Sequence, residues 1–305
     1  MDKRLYRIGA LLAVYFFWGG TYLGMRFAVQ TIPPFLMAGT RFLSAGLAVY
    51  LYARLKGAPR PLARHWIDAG IVGGLLLLGG NGMVSWAEQV VASSIAALLV
   101  ATVPLWMLLL GLLAKDSRRP NAVVCAAVAL GFAGIAILVL PSGSGLGRID
   151  PVGIAALLAA AFFWSLGSLY SRRARVPGSP LLAVGMQMLV GGALLLLASG
   201  LGGEWSRFHP AQVSARSLFG LAYLVLFGSI VGYNAYIWLL KNADPTWVST
   251  YAFVNPIVAV FLGWLLAGEQ LTLRSVWATA VIVLSVVIIT VNKNLETAAA
   301  SRAQP

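Results

Sequence analysis

The stretch Tyr251–Glu269, YAFVNPIVAVFLGWLLAGE, decides the fold, because it is an apolar helical segment with an internal proline that recurs earlier in the chain. A shift of 152 positions aligns Pro256 with Pro104 and Trp238 with Trp86. A shift of 146 aligns the FFW sequence at 162–164 with the same sequence at 16–18. The sequence therefore predicts a duplicated unit at 5–141 and 150–293, followed by a cytoplasmic tail at 294–305.

The composition is that of an integral membrane protein. Hydrophobic residues make up 60% of the chain, charged residues 10%, and the mean hydropathy is +0.85. About 20 apolar residues are needed for a helix to cross a bilayer, where every backbone amide must be satisfied within its own segment. Ten such segments are predicted, five in each copy, so the expected class is all-α. They lie at approximately 8–27, 34–53, 67–86, 91–113, 121–140, 151–170, 180–200, 217–238, 246–266 and 275–292.

Lysine and arginine predict how these spans are oriented. With a cytoplasmic N-terminus, sixteen of the 22 basic residues flank the inner ends of the spans and five flank the outer ends. Basic residues are retained on the cytoplasmic side of short loops, so both termini are predicted to be cytoplasmic. Because five is odd, the second five-helix repeat must then be inverted relative to the first. Inverted repeats are typical of transporters whose substrate site lies near the middle of the membrane.

Several functional classes are excluded or disfavoured by the composition and motifs. The net charge of +13 comes from residues that flank apolar spans and face anionic lipid, which argues against nucleic-acid binding. The glycine-rich linker PSGSGLGRIDP at 141–151 lacks the Lys-Ser/Thr of a phosphate loop. The single cysteine cannot form an intramolecular disulfide, and the two histidines lie in loops. No cofactor, no metal site, no catalytic residue and no enzymatic activity are expected.

The chain resembles the EamA family of the drug/metabolite transporter superfamily. The matching sequences are FFWGGTYLGMRFA at 16–28, PPFLMAGTRFLSAGLAV at 33–49, ASSIAALLVATVPLWMLLLG at 92–111, FFWSLGSLYSRR at 162–173 and YAFVNPIVAVFLGWLLAGEQLT at 251–272. Within that family it is similar to YddG-type amino-acid exporters. The resemblance implies ten helices, a central cavity lined mainly by helices 3, 4, 8 and 9, and export of amino acids or other small metabolites across a bacterial inner membrane.

Polar and aromatic residues inside the spans are the candidate substrate-binding groups, because polar groups at depth usually face a cavity or another helix. Asn81 and Ser85 are spaced i, i+4 on helix 3, and Asn234 and Trp238 share that spacing on helix 8. Trp18 and Trp164 are related by the repeat and lie well inside their spans. Packing between helices is the competing interpretation for the asparagines, and contact with lipid for the tryptophans. The predicted set is Trp18, Tyr22, Arg41, Asn81, Ser85, Trp86, Trp164, Ser168, Gln187, Tyr233, Asn234, Trp238, Tyr251 and Asn255.

Arg41 is the strongly charged residue that lies clearly within a span, and its repeat partner is Gln187. It could bind a substrate carboxylate or anchor helix 2 by hydrogen bonding to carbonyl groups; the sequence leaves both open. No Asp or Glu lies at mid-span, whereas proton-driven pumps generally keep a titratable carboxylate at depth. This absence favours facilitated diffusion or exchange. Glu88 and Glu269, toward the outer side, remain the candidate proton relays.

Pro104 and Pro256 are predicted to lie within paired helices, where a proline removes a backbone hydrogen bond and kinks the axis. We expect the kinks to let the two halves close alternately on each face, although static kinks are the simpler alternative.

The predicted function is export of amino acids, including aromatic ones, by facilitative alternating access. The alternative is export of other metabolites or drugs, such as purines or cationic compounds, with proton coupling. A channel-like pore or a scaffold is disfavoured. The expected partners are the substrate and lipid, and the oligomeric state stays open, a monomer among the alternatives.

Overall fold

A computed structural model describes residues 3–113, 121–139, 150–171, 173–242 and 251–302. Every regular element in these ranges is a helix. The α-helices are α1 (Lys3–Ala28), α2 (Pro34–Leu55), α3 (Ala63–Gly73), α4 (Met83–Ala87), α5 (Ser93–Val100), α6 (Val103–Leu113), α7 (Ala122–Val139), α8 (Pro151–Ser171), α9 (Pro180–Leu201), α10 (Glu204–Arg207), α11 (Ala215–Tyr223), α12 (Gly232–Asn242), α13 (Tyr251–Ala267) and α14 (Leu273–Arg302).

Six helical stretches of the described chain are long and apolar enough to cross a membrane. They are Tyr6–Ala28, Pro34–Leu55, Ala63–Ala87, Pro151–Ser171, Pro180–Leu201 and Ala215–Tyr236. The other four predicted spans fall on shorter apolar helices, at Ser93–Met107, Ala122–Ile137, Val254–Ala267 and Leu273–Ile289. The multi-span helical class is therefore confirmed, and the count of ten crossings stays a prediction.

Two of the long stretches contain a π-helical turn that hydropathy does not reveal. Gly74–Gly82 joins α3 to α4, and Leu224–Val231 joins α11 to α12. A π-helix adds a residue per turn and is frequent at functional sites. Both segments occupy the middle of their spans, in the third predicted helix of the first copy and the third of the second.

The fourth predicted span, 91–113, is not one helix. It consists of α5 and α6, with a turn at residues 101–102. Pro104 is the second residue of α6, a position that suits proline because the amide there has no helical acceptor. The placement of this proline in the middle of a continuous helix was therefore wrong, whereas Pro256 does lie inside α13. Ser165 of α8 donates to the carbonyl oxygen of Val103 at 3.0 Å, which satisfies a group at the break.

The helices pack in pairs that place both copies around a common centre. α2 packs along α9, and α7 along α14. α1 packs against α13, α11 and α12, while α8 packs against α5, α6 and the first π-helical segment. The largest buried cluster joins residues of α1, α4, α5 and α8, including Met25, Leu98 and Leu157.

Glutamates that follow turns cap the amino ends of two helices from other parts of the chain. α2 and α5 begin after Pro33 and Ala92, which offer no side-chain cap. Glu204 accepts from the amides of Phe35 and Leu36 at 3.3 and 2.9 Å. Glu269 accepts from the amide and hydroxyl of Ser93 at 2.8 and 2.6 Å, and from the Ser94 amide at 3.0 Å. Carboxylates are favourable at helix amino ends because they satisfy free N–H groups and oppose the helix dipole.

These contacts define one end of the helix bundle, which we call the Glu88 face. There α1 and α4 end and α2 and α5 begin, and Arg26 donates to the backbone oxygen of Glu88. At the opposite end of the bundle, Asp68 links α3 to α8 and to the segment that follows α8. Its two carboxylate oxygens accept from the Tyr170 hydroxyl and the Arg175 amide, each at 2.8 Å.

The chain ends of the fold differ from the simple prediction in detail. α1 begins at Lys3, so the basic amino-terminal stretch is largely helical. α14 continues to Arg302, which makes residues 294–302 of the predicted tail helical as well. The glycine-rich linker 141–149, and the basic residues Lys115, Arg118 and Arg119 that support the predicted orientation, lie outside the described residues.

Candidate functional site

Four aromatic side chains from three helices are in mutual contact, and we call them the Trp18 cluster: Trp18, Tyr233, Tyr236 and Tyr251. The ring centroid of Trp18 lies 5.0 Å from that of Tyr236 and 5.4 Å from that of Tyr251. Tyr233 lies 6.1 Å from Trp18. Offset and edge-to-face arrangements at these distances are favourable for aromatic rings. Three of the four residues were predicted from the sequence, and Tyr236 was not.

The position of Trp18 is fixed by the second π-helical segment and the residue after it. Its indole Nε1 donates to the backbone oxygen of Gly228 at 3.0 Å. A Cβ atom built on Gly232 would lie only 2.6 Å from the same nitrogen, so the ring packs directly on the helix backbone. The absence of a side chain at Gly232 is therefore what lets α1 and α12 approach closely.

Trp164 makes the corresponding contact in the other copy. A Cβ atom built on Gly80, in the first π-helical segment, would lie 3.0 Å from Cε3 of Trp164. Gly80 and Gly232 are separated by the same 152 positions that align the later part of each copy. Each tryptophan thus packs against the third helix of the opposite part of the chain, at equivalent glycines.

Arg41 lies beside the Trp18 cluster on α2. Only 5% of this residue is exposed, and its Nε donates to the Ser229 hydroxyl at 2.9 Å. Its Nη2 lies 3.0 Å from a Cβ atom built on Gly228, the residue whose carbonyl binds Trp18. The Arg41 guanidinium and the Trp18 indole therefore both lie next to Gly228. Arg41 has further N–H donors for an anionic group, and a guanidinium is well suited to a carboxylate.

Asn255 of α13 contributes an unused hydrogen-bond acceptor. The residue is 8% exposed, and its Oδ1 has no hydrogen-bond partner in the part of the chain that the structure describes. It lies one turn beyond Tyr251, and its backbone oxygen is 3.2 Å from a Cβ atom built on Gly19, next to Trp18. Since buried polar atoms are nearly always paired, an unpaired acceptor beside an aromatic cluster points to a ligand.

Other predicted residues make local hydrogen bonds that suit a packing role. Asn234 Nδ2 donates to the Ile230 oxygen at 2.6 Å, and Ser168 Oγ donates to the Trp164 oxygen at 2.7 Å. Ser85 is buried, and its hydroxyl contacts the Met25 sulfur at 3.4 Å. These bonds connect a side chain to its own helix or to an adjacent one; they use the hydroxyl donors of Ser168 and Ser85 and one of the two N–H donors of Asn234.

The rest of the predicted set is distributed around the cluster. Trp238 packs with the Trp18 cluster and contacts the Tyr6 ring at 4.6 Å between centroids. Tyr22 and Trp86 pack against the large buried cluster near Met25. Asn81 is half-buried on the first π-helical segment, and half-buried Gln187 places its backbone oxygen against Gly73. Pro256 is buried inside α13, and the side chain of Pro104 lies outside what the structure describes.

Two further residues of the site were missed from the sequence. Tyr236 follows Tyr233 by three positions, a spacing that places both on one helix face, so periodicity could have identified it. Ser229 anchors Arg41 from a helix 188 positions away in sequence, and nothing local to either residue indicates the pair.

Comparison with known proteins assigns the family. The model of the EamA-like transporter family matches residues 6–140 and 151–291. The chain is 41% identical to the uncharacterized inner membrane transporter YedA of Escherichia coli K12, over 94% of this chain and 91% of that protein. It is 25% identical to the uncharacterized transporter YvbV of Bacillus subtilis, over 93% and 91% of the two chains.

The fold comparison agrees with the sequence comparison. A solved crystal structure that is 21% identical in sequence superimposes with a TM-score of 0.62. The match covers 95% of this chain and 98% of the other, so nearly the whole fold is shared. The family match over both copies and the 41% identity to YedA show that the chain belongs to the EamA-like transporter family.

Proposed function

We propose that the protein exports amino acids, including aromatic ones, and related small metabolites across a bacterial inner membrane by facilitative alternating access. The observation that carries the substrate class is the unpaired Asn255 acceptor beside the Trp18 cluster and Arg41. An aromatic surface with a few convergent polar groups is typical of sites for small amphipathic ligands.

The three parts of the site match the three parts of such a substrate. Arg41 would bind the carboxylate, which also compensates the cost of burying its charge. Asn255 Oδ1 would accept from the ammonium group, and the Trp18 cluster would contact the apolar side chain by ring stacking. Amino-acid export is also what the sequence resemblance to YddG-type exporters implies.

The inverted repeat is supported by equivalent contacts in both halves. Trp18 on Gly232 corresponds to Trp164 on Gly80, and π-helical segments occur in the third predicted helix of each copy. Two halves of the same fold in opposite orientations provide two equivalent closed forms, one for each membrane face. Alternating access and cytoplasmic termini follow from that symmetry and from the distribution of basic residues.

The gating proposal rests on breaks in paired helices. α5 and α6 are separated at residues 101–102, and α13 contains Pro256 without being interrupted. Helices that lack a backbone hydrogen bond bend more readily at that point. We propose that these two sites, at Pro104 and Pro256, bend in turn as the halves close.

The critical experiment replaces Asn255 by leucine, which has nearly the same shape and no hydrogen-bonding group. Because the Asn255 acceptor has no partner among the described residues, its loss should remove no hydrogen bond that stabilises them, and the variant should fold with equal or greater stability. Ser199→Ala is the matched control, because the Ser199 hydroxyl is also buried without a partner but lies near the end of α9. Exchange of labelled phenylalanine, leucine and tyrosine is measured in proteoliposomes, with and without a pH gradient.

The expected result is exchange by the wild-type protein that reaches equal concentrations on both sides, regardless of the imposed gradient. Asn255→Leu should reduce it by at least about tenfold, the equivalent of one hydrogen bond to a charged group at about 1.5 kcal/mol. Ser199→Ala should leave it unchanged. Normal exchange in Asn255→Leu would remove Asn255 from the site. Transport of purines or cationic compounds in place of amino acids, or accumulation driven by the gradient, would support the alternative function.

A further inference from the structure

We propose that Glu88 is a protonation site that controls opening of the transporter on the Glu88 face. The proposal rests on the proposed transport function and adds regulation by pH. It assigns a role to a residue that the substrate site does not use.

Glu88 differs from Glu204 and Glu269, the other two glutamates described at this face, in its burial and its hydrogen bonding. It is 0% exposed, and neither carboxylate oxygen has a hydrogen-bond partner within the described ranges. Glu204 and Glu269 lie at the same face, yet each accepts hydrogen bonds from two backbone amides. Arg26 is adjacent but donates to the backbone oxygen of Glu88, and no ion pair joins the two side chains in the described structure.

The charged and titratable groups around Glu88 come from several elements. α1 contributes Arg26 and Tyr22, α2 contributes Arg41, and the turn after α13 contributes Glu269. α8 packs against α4, and its titratable groups are Asp150 at its start, which binds the Val152 amide, and Tyr170 at the opposite end. Two cations, one anion and the backbone amide of Arg26 therefore act on Glu88, and none of them lies within hydrogen-bond distance of its carboxyl oxygens in the described structure.

Burial without hydrogen bonds favours the neutral form of a carboxylic acid, since an ionised carboxylate loses its hydration and gains no partner. The structure, in which the Glu88 carboxyl group is fully buried, thus accommodates a protonated side chain, and we take it as the closed form of this face. When α1 and α4 separate, water reaches the carboxyl group and ionisation becomes favourable. By linkage, opening releases about one proton, so alkaline pH on this face favours opening and acidic pH favours closure.

The position of Glu88 limits what the proton can do. It follows the last residue of α4 at the end of a predicted span, and it exchanges protons with one membrane face. A proton that is bound and released on the same side does not cross the membrane. The site therefore regulates the rate of facilitative transport and supplies no driving force.

The test measures opening without any substrate. Ser85, one turn before Glu88 and fully buried, is replaced by cysteine after the exposed Cys125 is replaced by serine. Sealed membrane vesicles are treated on the Glu88 face with a membrane-impermeant thiol reagent at a series of pH values. The labelling rate is divided by the rate in the same protein carrying Glu88→Gln, so that ionisation of the thiol itself cancels.

The proposal predicts a quotient that rises with pH by up to about tenfold per pH unit, as expected for release of one proton. Adding Glu204→Gln to both proteins should preserve that dependence, because Glu204 is already paired with backbone amides. A pH-independent quotient would overturn the proposal, and so would a Glu88→Gln protein that fails to fold, since glutamine imitates the neutral acid.

The same vesicles separate this proposal from the transport function. Acid on the Glu88 face should slow amino-acid exchange in the wild type and not in Glu88→Gln, with no accumulation in either. If labelling depends on pH but no amino acid is exchanged, the proposed function fails and the protonation site stands. If exchange occurs but labelling ignores pH, the protonation site fails alone.

Discussion

Gly232→Ala tests whether the close contact between Trp18 and α12 holds the site together. The added methyl carbon would lie 2.6 Å from Nε1 of Trp18, closer than van der Waals contact allows, and the indole must move. Overpacking of this kind costs about 1–3 kcal/mol, and loss of the bond from Trp18 to the Gly228 oxygen adds about 1 kcal/mol. Alanine recovers about 1 kcal/mol through its higher helix propensity. The expected net loss of stability is about 1–3 kcal/mol.

Gly74→Ala is the matched control for this substitution. Gly74 begins the first π-helical segment, and the nearest atom to a Cβ built there is 3.6 Å away, at ordinary contact distance. This variant should be equal to the wild type or more stable by up to about 1 kcal/mol, since only the helix-propensity gain applies. The two variants should therefore differ by about 1–4 kcal/mol.

The assay is unfolding of the purified protein in mixed micelles by increasing SDS, with exchange of labelled phenylalanine measured in parallel. Gly232→Ala should unfold at lower SDS and exchange more slowly, because Trp18 no longer holds its place in the cluster. Equal stability of the two variants, together with normal exchange in Gly232→Ala, would refute the inference that Trp18 depends on this glycine.

Two further predictions concern the helix caps and the proposed gate. Glu269→Ala removes the acceptor for the first amides of α5 and should destabilise the protein by about 1–2 kcal/mol in the same unfolding assay. Glu204→Ala should destabilise it similarly through α2. A loss of stability below about 0.3 kcal/mol in both variants would contradict the capping role. Pro256→Ala should slow exchange without reducing membrane insertion, whereas Pro180→Ala, at the start of α9, should leave the exchange rate unchanged. Identical rates in all three proteins would count against bending at Pro256.

The spans could be predicted because hydropathy is a property of each segment on its own. The bilayer demands a long apolar run wherever the chain crosses, so composition and length located the six long apolar stretches to within about four residues at each end. The π-helical segments and the break between α5 and α6 were not predictable in this way. They change the backbone hydrogen-bond pattern while the side chains remain apolar, and hydropathy is insensitive to that difference.

In the candidate site too, the sequence identified some residues but could not predict the contacts that they make in the folded protein. Trp18, Tyr233 and Tyr251 were found because aromatic residues in repeat-related spans stand out from their aliphatic neighbours. Asn234 and Ser168 bond to carbonyl groups one turn earlier in the chain, whereas the Asn255 acceptor has no partner among the described residues, and residue type does not distinguish these cases. From residue type alone, Asn234, Ser168 and Asn255 were all predicted to bind substrate, with no distinction among them.

Glu88, Glu204 and Glu269, the three glutamates of the Glu88 face, have similar sequence positions but different environments in the fold. All lie at the ends of helices, where the sequence alone predicts solvent-exposed carboxylates. Glu269 caps a helix whose start lies 176 positions earlier, and Glu204 caps one 169 positions earlier. Helix amino ends hold those two charges, whereas the carboxyl oxygens of Glu88 are buried and have no hydrogen-bond partner among the described residues. Burial of this carboxyl group without hydrogen bonds favours its neutral form, and on the proposed role of Glu88 closure of the face between α1 and α4 then depends on protons.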